Sequence, residues 1–258
     1  MTARACLFAA ISMALVTQAT AGELAAGDTL LAVYIDSNLA QARRDSATGE
    51  IQGPAADLAR ELAKRHGIKV TIAPAPGVAG VIASVKSGEA DIGFVAYDAT
   101  RAKEVDFSQT YLLAHNTYIV REDSADRQTT DLDQTGRKIG VGEKDAADLF
   151  LSRNLKMAAL HRIPSSDLDN GIKMLLAGEL DAYAANRTRL LAVTDKVRGL
   201  RILPDNFYDV EQAIVVAQGN PRRRELVEQF VIDAKASGLV QAAIDRAGLR
   251  GVSVAPPK

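Results

Sequence analysis

The sequence predicts an α/β protein with two lobes, and three observations lead to this fold class. Apolar runs with the length of strands alternate with helical patterns, which is typical of parallel sheets covered by helices. Two segments resemble each other, because each leads from a helical pattern through Gly-Glu-x-Asp into a short apolar strand: GVIASVKSGEADIGFVAYDATR and NGIKMLLAGELDAYAANRTR. Two extended stretches, HNTYIVRE and NFYDVEQAIVVAQ, are suited to carry the chain between lobes. We therefore expect each lobe to be a mostly parallel sheet flanked by helices, with two hinge crossings.

The N-terminal residues 1–21 have the three parts of a secretory signal peptide. A basic residue, Arg4, precedes the apolar run Cys6–Val16, and the small residues Ala19 and Ala21 mark a cleavage site. A lipid anchor would need its cysteine just after the apolar run, whereas Cys6 lies at its start. Cleavage after Ala21 removes the only cysteine and excludes disulfides. The sequence therefore predicts a periplasmic protein without a lipid anchor.

The elements follow in chain order. LLAVYID predicts the first strand, PAADLARELAKRHG a helix that begins at Pro54 and stops at Gly67, and IKVTIAP the next strand. In the second lobe, KIGVGEKDAADLFLSRNL repeats the step from strand to helix, with Asp145 as the predicted N-cap. Two helical patterns close the chain, and the tail VSVAPPK is expected to be unstructured. The predicted boundaries are 22–117 plus 210–258 for lobe 1 and 118–209 for lobe 2.

Composition and charge exclude several classes of function. The formal net charge is −1 and the charges are interspersed, which argues against nucleic-acid and membrane-surface partners. His66, His115 and His161 stand apart without metal-ligand spacing, so neither a metal nor a cofactor is predicted. No phosphate loop, dinucleotide fingerprint or Gly-x-Ser-x-Gly motif occurs.

Polar residues follow the predicted strands at their carboxyl ends, where open α/β sheets bind ligands. Asp36 and Asn38 follow the first strand, and a polar tip from Tyr97 to Arg101 follows a later one. In the second lobe, Asn186 begins a similar tip. Four tyrosines near strand ends are either walls of a site or core and hinge residues: Tyr34, Tyr97, Tyr183 and Tyr208.

Three motifs carry a resemblance to a known family. They are the Gly-x-x-x-Asp-Leu helix start in GEIQGPAADLARELAKRHGIKV, the run GEADIGF followed by TRAKEVDFSQTY, and GELDAYAAN in the second lobe. The most specific is Arg-x-x-x-x-x-Phe-Ser-x-x-Tyr, from Arg101 to Tyr111. Over essentially the whole mature chain, the sequence resembles the family 3 extracellular solute-binding proteins. These are the polar amino-acid receptors of ABC importers, with the type II periplasmic-binding fold.

The resemblance implies a role for particular residues. Arg101 would form a bidentate pair with a ligand carboxylate. The helix start at Lys144, Asp145 and Ala146 takes the place of the family's Gly-Thr-Thr-like anion site. Asn186 stands where the family usually has an ammonium-binding aspartate, so the need for an α-amino group stays open. The loop before Arg101 is shorter than the family pattern and places Tyr97, Asp98 and Thr100 near the ligand.

The implied function is a monomeric periplasmic receptor for a small polar carboxylate, an amino acid or analogue, bound between the lobes and delivered to an ABC permease. It would not be an enzyme and would bind no nucleic acid. Tyr208 lies on a crossing and could line the site. Three alternatives stay open. Arg101 could instead form a surface ion pair with Glu104 or Asp98, the fold could serve a dehydratase or lyase with Asp98 or Glu211 as acid, or the protein could be a ligand sensor or accessory subunit.

Overall fold

The computed structural model describes residues 22–25, 27–36 and 38–257, and it forms two compact units that we describe separately. The predicted signal peptide at residues 1–21 lies outside the described residues. Unit 1 contains the described residues up to Leu112, Gln212–Gly248 and the residues from Val254 onward. Unit 2 contains Leu113–Glu211 and Leu249–Ser253. Residues 249–253 thus pack with unit 2, whereas the sequence analysis placed all of 210–258 in lobe 1.

The elements are numbered in chain order, and strands alternate with helices as the sequence predicted. They are β1 (Thr29–Ile35), β2 (Arg43–Arg44), β3 (Ile51–Gln52), α1 (Pro54–Arg65), β4 (Lys69–Ala75), α2 (Gly77–Ser87), β5 (Ile92–Ala96), a 3-10 turn (Arg101–Lys103), β6 (Val105–Arg121), a second 3-10 turn (Thr129–Leu132), β7 (Lys138–Gly142), α3 (Ala146–Asn154), β8 (Ala159–Ile163), α4 (Leu168–Leu176), β9 (Ala182–Asn186), α5 (Arg187–Thr194), β10 (Leu200–Ile202), β11 (Tyr208–Ala217), α6 (Pro221–Ala236), α7 (Leu239–Arg246) and β12 (Val252–Val254).

Unit 1 is built on a sheet in the order β4-β1-β5-β11. Strand β1 is parallel to both β4 and β5, whereas β11 is antiparallel to β5. Helix α1 begins at Pro54, as predicted, and its first turn needs no proline N–H. A core cluster of Ile35, Val81, Val85, Val95 and Val215 joins α2 to the sheet. Parallel pairing of β1 with β5 places their carboxyl ends at the same edge.

Unit 2 contains a sheet in the order β6-β9-β7-β8, in which β9, β7 and β8 are mutually parallel and β6 is antiparallel to β9. Strand β9 is buried on both faces: Ala184 packs with the cluster around α3, and Tyr183 packs with the cluster around α4. A Cβ at Gly171 would lie 2.3 Å from Tyr183 Cε2, so this close packing of helix and strand requires glycine. The α/β fold class predicted for each lobe is confirmed.

The two Gly-Glu-x-Asp segments form the same local structure in the two units. Gly88 and Gly178 end their helices with φ of 80° and 78°, a left-handed conformation that glycine tolerates. In unit 1, Asp91 is 5% exposed, and its carboxylate accepts the Leu31 N–H at 2.9 Å. In unit 2, Asp181 accepts the Lys138 N–H at 2.8 Å. Each aspartate therefore connects the start of its strand to the neighbouring parallel strand, which explains why the motif occurs twice.

The C-terminal tail, which was expected to be unstructured, is ordered. Strand β12 pairs with β6, the Ala255 N–H donates to the Tyr111 carbonyl at 3.1 Å, and Ala255 is buried. Lys235 Nζ also donates to the Pro256 carbonyl at 3.0 Å. The prediction for VSVAPPK was wrong because a three-residue strand is too short to show a period, and its partner lies far away in sequence.

Candidate functional site

Arg101 lies in unit 1 on the 3-10 turn that follows β5. Its Nη1 donates to the carbonyl of Ala96, the last residue of β5, at 2.8 Å. Lys86 Nζ forms an ion pair with Glu104 Oε2 at 2.7 Å. No carboxylate in the described part of the chain forms an ion pair with Arg101. Among the described residues, the structure thus shows no direct ion pair of Arg101 with Glu104 or Asp98, although the Arg101 charge helps to lower the pKa of Asp98. The remaining guanidinium N–H groups are donors for an anion.

Asp98 shapes the loop that carries Arg101. Its Oδ1 accepts the backbone N–H groups of Thr100 at 2.8 Å and Arg101 at 3.2 Å. Burial alone would raise the pKa of Asp98, but these two bonds and the Arg101 charge outweigh it and hold the pKa below its ordinary value. A general acid at neutral pH needs the opposite shift. Asp98 is thus an ionised loop residue, which does not favour its role as the acid of a dehydratase.

Two aromatic side chains, Tyr97 and Phe107, lie at this edge of unit 1. Tyr97 is 49% exposed and meets Phe107 edge to face, with ring centroids 5.2 Å apart. Tyr34, in contrast, is buried and belongs to the core. Of the four tyrosines left open by the sequence, Tyr97 is an exposed wall of this edge, whereas Tyr34 and Tyr183 are core residues.

Asp36 and Asn38 follow β1 at the same edge. Asp36 is exposed, and its backbone N–H donates to the Ala75 carbonyl at 3.2 Å. Asn38 Oδ1 accepts the Ala40 N–H at 3.1 Å, so its side chain stabilises the turn that follows the strand. Unit 1 therefore brings Asp36, Asn38, Tyr97 and Arg101 to the ends of two adjacent parallel strands.

Lys144 has the one positive φ among the non-glycine residues of the described ranges, at 63°. Its N–H donates at 2.9 Å to the carboxylate of Asp148, which is 4% exposed and paired with Arg162 at 3.0 Å. The Lys144 side chain is exposed, as is Ala146, the first residue of α3. The first-turn amides of α3 lack partners within the helix and, with Lys144, form a positively polarised end of unit 2.

Asp145 occupies the predicted N-cap position of α3, but its side chain makes no cap hydrogen bond. Its carboxylate instead pairs with Arg189 Nη1 at 2.9 Å, and Arg189 Nη2 donates to the Ser165 carbonyl at 2.9 Å. A Cβ at Gly142 would lie 2.2 Å from Asp145 Oδ2, so glycine leaves room for this pair. The charge of Asp145 is therefore offset by Arg189, which sequence reasoning did not single out.

Asn186 ends β9 and caps the next helix. Its Oδ1 accepts the Thr188 N–H at 3.0 Å, so the amide already has a structural partner at the start of α5. Tyr208 stacks on Phe150 with centroids 4.5 Å apart and an interplanar angle of 15°. Parallel β7, β8 and β9 thus gather Lys144, Asp145, Ala146 and Asn186 at one edge of unit 2, while Tyr208 lies against α3.

Neither a metal cluster nor a membrane helix is found within the parts of the chain that the structure describes. There, no group of three or more His, Cys, Asp or Glu residues could hold a metal ion. His115 instead contacts the Asp209 carboxylate through Nδ1 at 2.7 Å. No helix in those parts is long and apolar enough to cross a membrane.

Comparisons with known proteins agree with the motifs. The family model of bacterial extracellular solute-binding proteins, family 3, matches residues 31–248. The L-cystine-binding protein TcyJ of Escherichia coli K12 is 24% identical over 201 residues, covering 77% of this chain and 74% of that protein. A glutamine-binding protein of Geobacillus stearothermophilus is 26% identical over 188 residues, covering 70% of this chain and 69% of that protein.

Solved structures show the same fold. The second substrate-binding domain of a putative amino acid ABC transporter from Streptococcus pneumoniae aligns with a TM-score of 0.68 at 23% identity, covering 84% of this chain and 99% of that one. A binding component from Wolinella succinogenes complexed with lysine aligns at 0.67 and 20% identity, covering 85% and 95%. An ancestral cationic amino acid solute-binding protein aligns at 0.66 and 20% identity, covering 91% and 98%. Because the family model spans most of the chain, this protein belongs to the bacterial extracellular solute-binding proteins of family 3.

Proposed function

We propose that this protein is a periplasmic receptor that binds a small polar carboxylate, an amino acid or analogue, and delivers it to an ABC permease. The observation that carries the proposal is Arg101, whose guanidinium is fixed by the Ala96 carbonyl at 2.8 Å and forms no ion pair with the described carboxylates. A positioned guanidinium can bind a carboxylate through two parallel charge-assisted hydrogen bonds. The relatives named for cystine and glutamine, and the solved binding component complexed with lysine, support ligands of this class.

Unit 2 has its own candidate anion-binding group, its positively polarised end. Lys144 and the first-turn amides of α3 are donors for a carboxylate, and the pairing of Asp145 with Arg189 lowers the repulsion that Asp145 would exert on an anion. We propose that this end binds anions in unit 2, as Arg101 does in unit 1. Thr100 and Asn38 are proposed to add polar contacts beside Arg101, and Tyr208 an aromatic contact in unit 2.

An ammonium group would have a weaker partner than the family usually provides. One lone pair of Asn186 Oδ1 is used at the start of α5, and an amide lacks the charge-assisted part of the interaction. The ionised carboxylate of Asp98 lies at the same edge as Arg101, where it accepts from the loop amides and from the Thr100 side chain. In unit 1, Asp36 is an exposed carboxylate. We propose that these acids, rather than Asn186 alone, favour a ligand with a cationic nitrogen.

The binding experiment uses mature protein from Gly22, refolded to remove any carried-over ligand. Thermal shifts are measured with L-cystine, L-glutamine, L-lysine, succinate and 6-aminohexanoate, the last of which lacks the α-amino group of lysine. We expect a shift with at least one carboxylate, and its loss in Arg101→Ala. Lys103→Ala is the matched control, because it removes an exposed cation from the same turn. No shift with any compound, or equal shifts in Arg101→Ala, would contradict the proposal.

Delivery to a permease is tested in cells. Deleting the gene should abolish uptake of the labelled compound that gave the thermal shift, and the wild-type gene should restore uptake where the Arg101→Ala gene does not. A sensor or accessory subunit would leave uptake unchanged. Export is checked by N-terminal sequencing of the periplasmic protein, which should begin at Gly22.

A further inference from the structure

A buried pair of amides lies close to the proposed site in unit 1. Gln41 is fully buried and Gln212 is 2% exposed. Gln41 Nε2 donates to Gln212 Oε1 at 2.8 Å, and Gln41 Oε1 accepts the Ile35 N–H at 2.9 Å. Both amides are thus used as hydrogen-bonding groups inside the core, where an unpaired polar group is costly.

The pair connects the end of β1 with the middle of β11. Strand β5 lies between β1 and β11 in the sheet, and the pairing of β1 with β5 ends at Val33. Ile35 lies beyond that point, where β1 still pairs with β4 through Ala75, and its N–H donates to Gln41. Gln212 lies opposite Ala96 in the pairing of β11 with β5. The amide pair therefore extends from the end of β1 to β11, level with the last residue of β5.

The same network reaches residues of the proposed site on both sides. The Gln41 N–H donates to the Asn38 carbonyl at 2.9 Å, which fixes the turn after Asp36 and Asn38. On the other side, the Ala96 carbonyl accepts from Arg101. The turn after β1 and the Arg101 anchor on β5 are thus held relative to each other by one buried contact.

We propose that Gln41 and Gln212 are positioning residues for ligand binding, an inference that rests on the proposed function. Two leucines could fill similar space without buried amides, but they would give the turn no directional contact. Hydrogen bonds impose a distance and an angle that apolar packing does not. By fixing the turn before the ligand arrives, the pair reduces the ordering needed on binding.

The test separates affinity from stability with Gln41→Leu, Gln212→Leu and the double leucine variant. Each single variant leaves one buried amide unpaired, so both the denaturation midpoint and the affinity should fall, the latter at least tenfold. The double variant removes both amides but still leaves the Ile35 N–H without its acceptor, so it should recover only the part of the midpoint lost through the unpaired amide of the partner glutamine. Its affinity should stay reduced, because the directional contact is still absent. Affinities come from isothermal titration calorimetry with L-cystine, L-glutamine, L-lysine and succinate as probes, well below the unfolding temperature.

Asp91→Asn is the matched control. Asp91 makes the corresponding buried bond to β1 at the opposite ends of the same strands, through the Leu31 N–H. This variant should lower the midpoint without changing the affinity. If Gln41→Leu does not fold, Gln212→Leu and the double variant carry the comparison.

Two results would overturn the inference while leaving the proposed function intact. One is wild-type affinity in the double variant, and the other is an affinity loss in Asp91→Asn equal to that of the single glutamine variants. In both cases Arg101→Ala would still abolish binding. If wild-type protein binds none of the probes, the proposed function fails and this inference fails with it.

Discussion

At the residue scale, Lys144 combines two local costs at the end of unit 2. The Cβ of a non-glycine residue makes the left-handed backbone conformation unfavourable. A cation beside the amino end of a helix is repelled by the positive end of the helix dipole. Lys144→Gly removes both, so the free energy of unfolding should rise by about 1 kcal/mol. Chemical denaturation monitored by circular dichroism measures the change.

Two control variants separate these costs. Lys144→Ala removes the charge but keeps a Cβ in the left-handed region, so it should recover only the smaller electrostatic part. Glu143→Gly is a neighbouring change at a residue without a positive φ and should lower stability. A loss of stability in Lys144→Gly would show that the backbone at this position is not strained. The proposed site predicts in addition that Lys144→Gly binds its carboxylate more weakly.

The same residues show how much of the site the sequence could predict. Arg101 was found because its motif is local in sequence and its anchor, Ala96, lies only five residues away. The partner of Asp145, Arg189, is 44 residues distant, and Gln212 is 171 residues from Gln41. Such pairs depend on which strands become neighbours, and local patterns do not specify that order. Asn186 was placed correctly at a strand end, but its capping bond depends on where α5 begins.

At the element scale, the ordered tail explains the conformation of Gly251. Its φ is +81°, and an added Cβ would lie 2.7 Å from the Thr188 backbone nitrogen and 2.9 Å from Arg187 Cβ. The Gly251 carbonyl accepts the His115 N–H at 3.1 Å, and the Arg250 carbonyl accepts from Thr188 Oγ1 at 2.5 Å. The tail thus packs on the first turn of α5, beside the residue that Asn186 caps.

Gly251→Ala should therefore destabilise unit 2 by more than the cost of a left-handed alanine, about 1–2 kcal/mol. Gly248→Ala is the matched control, since Gly248 has a φ of +61° and an added Cβ would meet nothing within 4 Å. Hydrogen exchange should show faster exchange of the His115 and Thr188 amides in Gly251→Ala than in Gly248→Ala. Equal protection in the two variants would mean that the tail does not stabilise α5.

The sequence predicts the larger helices and strands more readily than the structure of the tail. Helices such as α1 carry a full apolar face and a proline start, and the repeated Gly-Glu-x-Asp segments combine a helix stop with a strand. Strand β12 offers only three residues, and it is ordered by pairing with β6. Long-range pairing of a short segment is the kind of information that periodicity does not contain.

At the scale of the whole molecule, stability at alkaline pH depends on buried tyrosines in both units. Burial raises the pKa of Tyr34 and Tyr111 in unit 1 and of Tyr118 and Tyr183 in unit 2 above the ordinary value of 10.0. The neutral form is therefore favoured in the folded protein, while the unfolded chain ionises above pH 10. This contribution to stability is fully present below pH 10 and is lost as the pH rises through the folded-state pKa values.

Below pH 10, ionisation of these tyrosines should therefore not change the denaturation midpoint. Above pH 10, the midpoint should fall as the pH rises. Each tyrosine still neutral in the fold contributes up to about 1.4 kcal/mol of loss per pH unit. Tyr111→Phe should lessen the slope, because the Tyr111 hydroxyl is fully buried and has no hydrogen-bond partner among the residues described. At neutral pH the same variant should be as stable as wild type or more stable, since it removes a buried polar atom that gains no bond. A variant that is less stable at neutral pH, with an unchanged alkaline slope, would mean that this hydroxyl is solvated or bonded in solution.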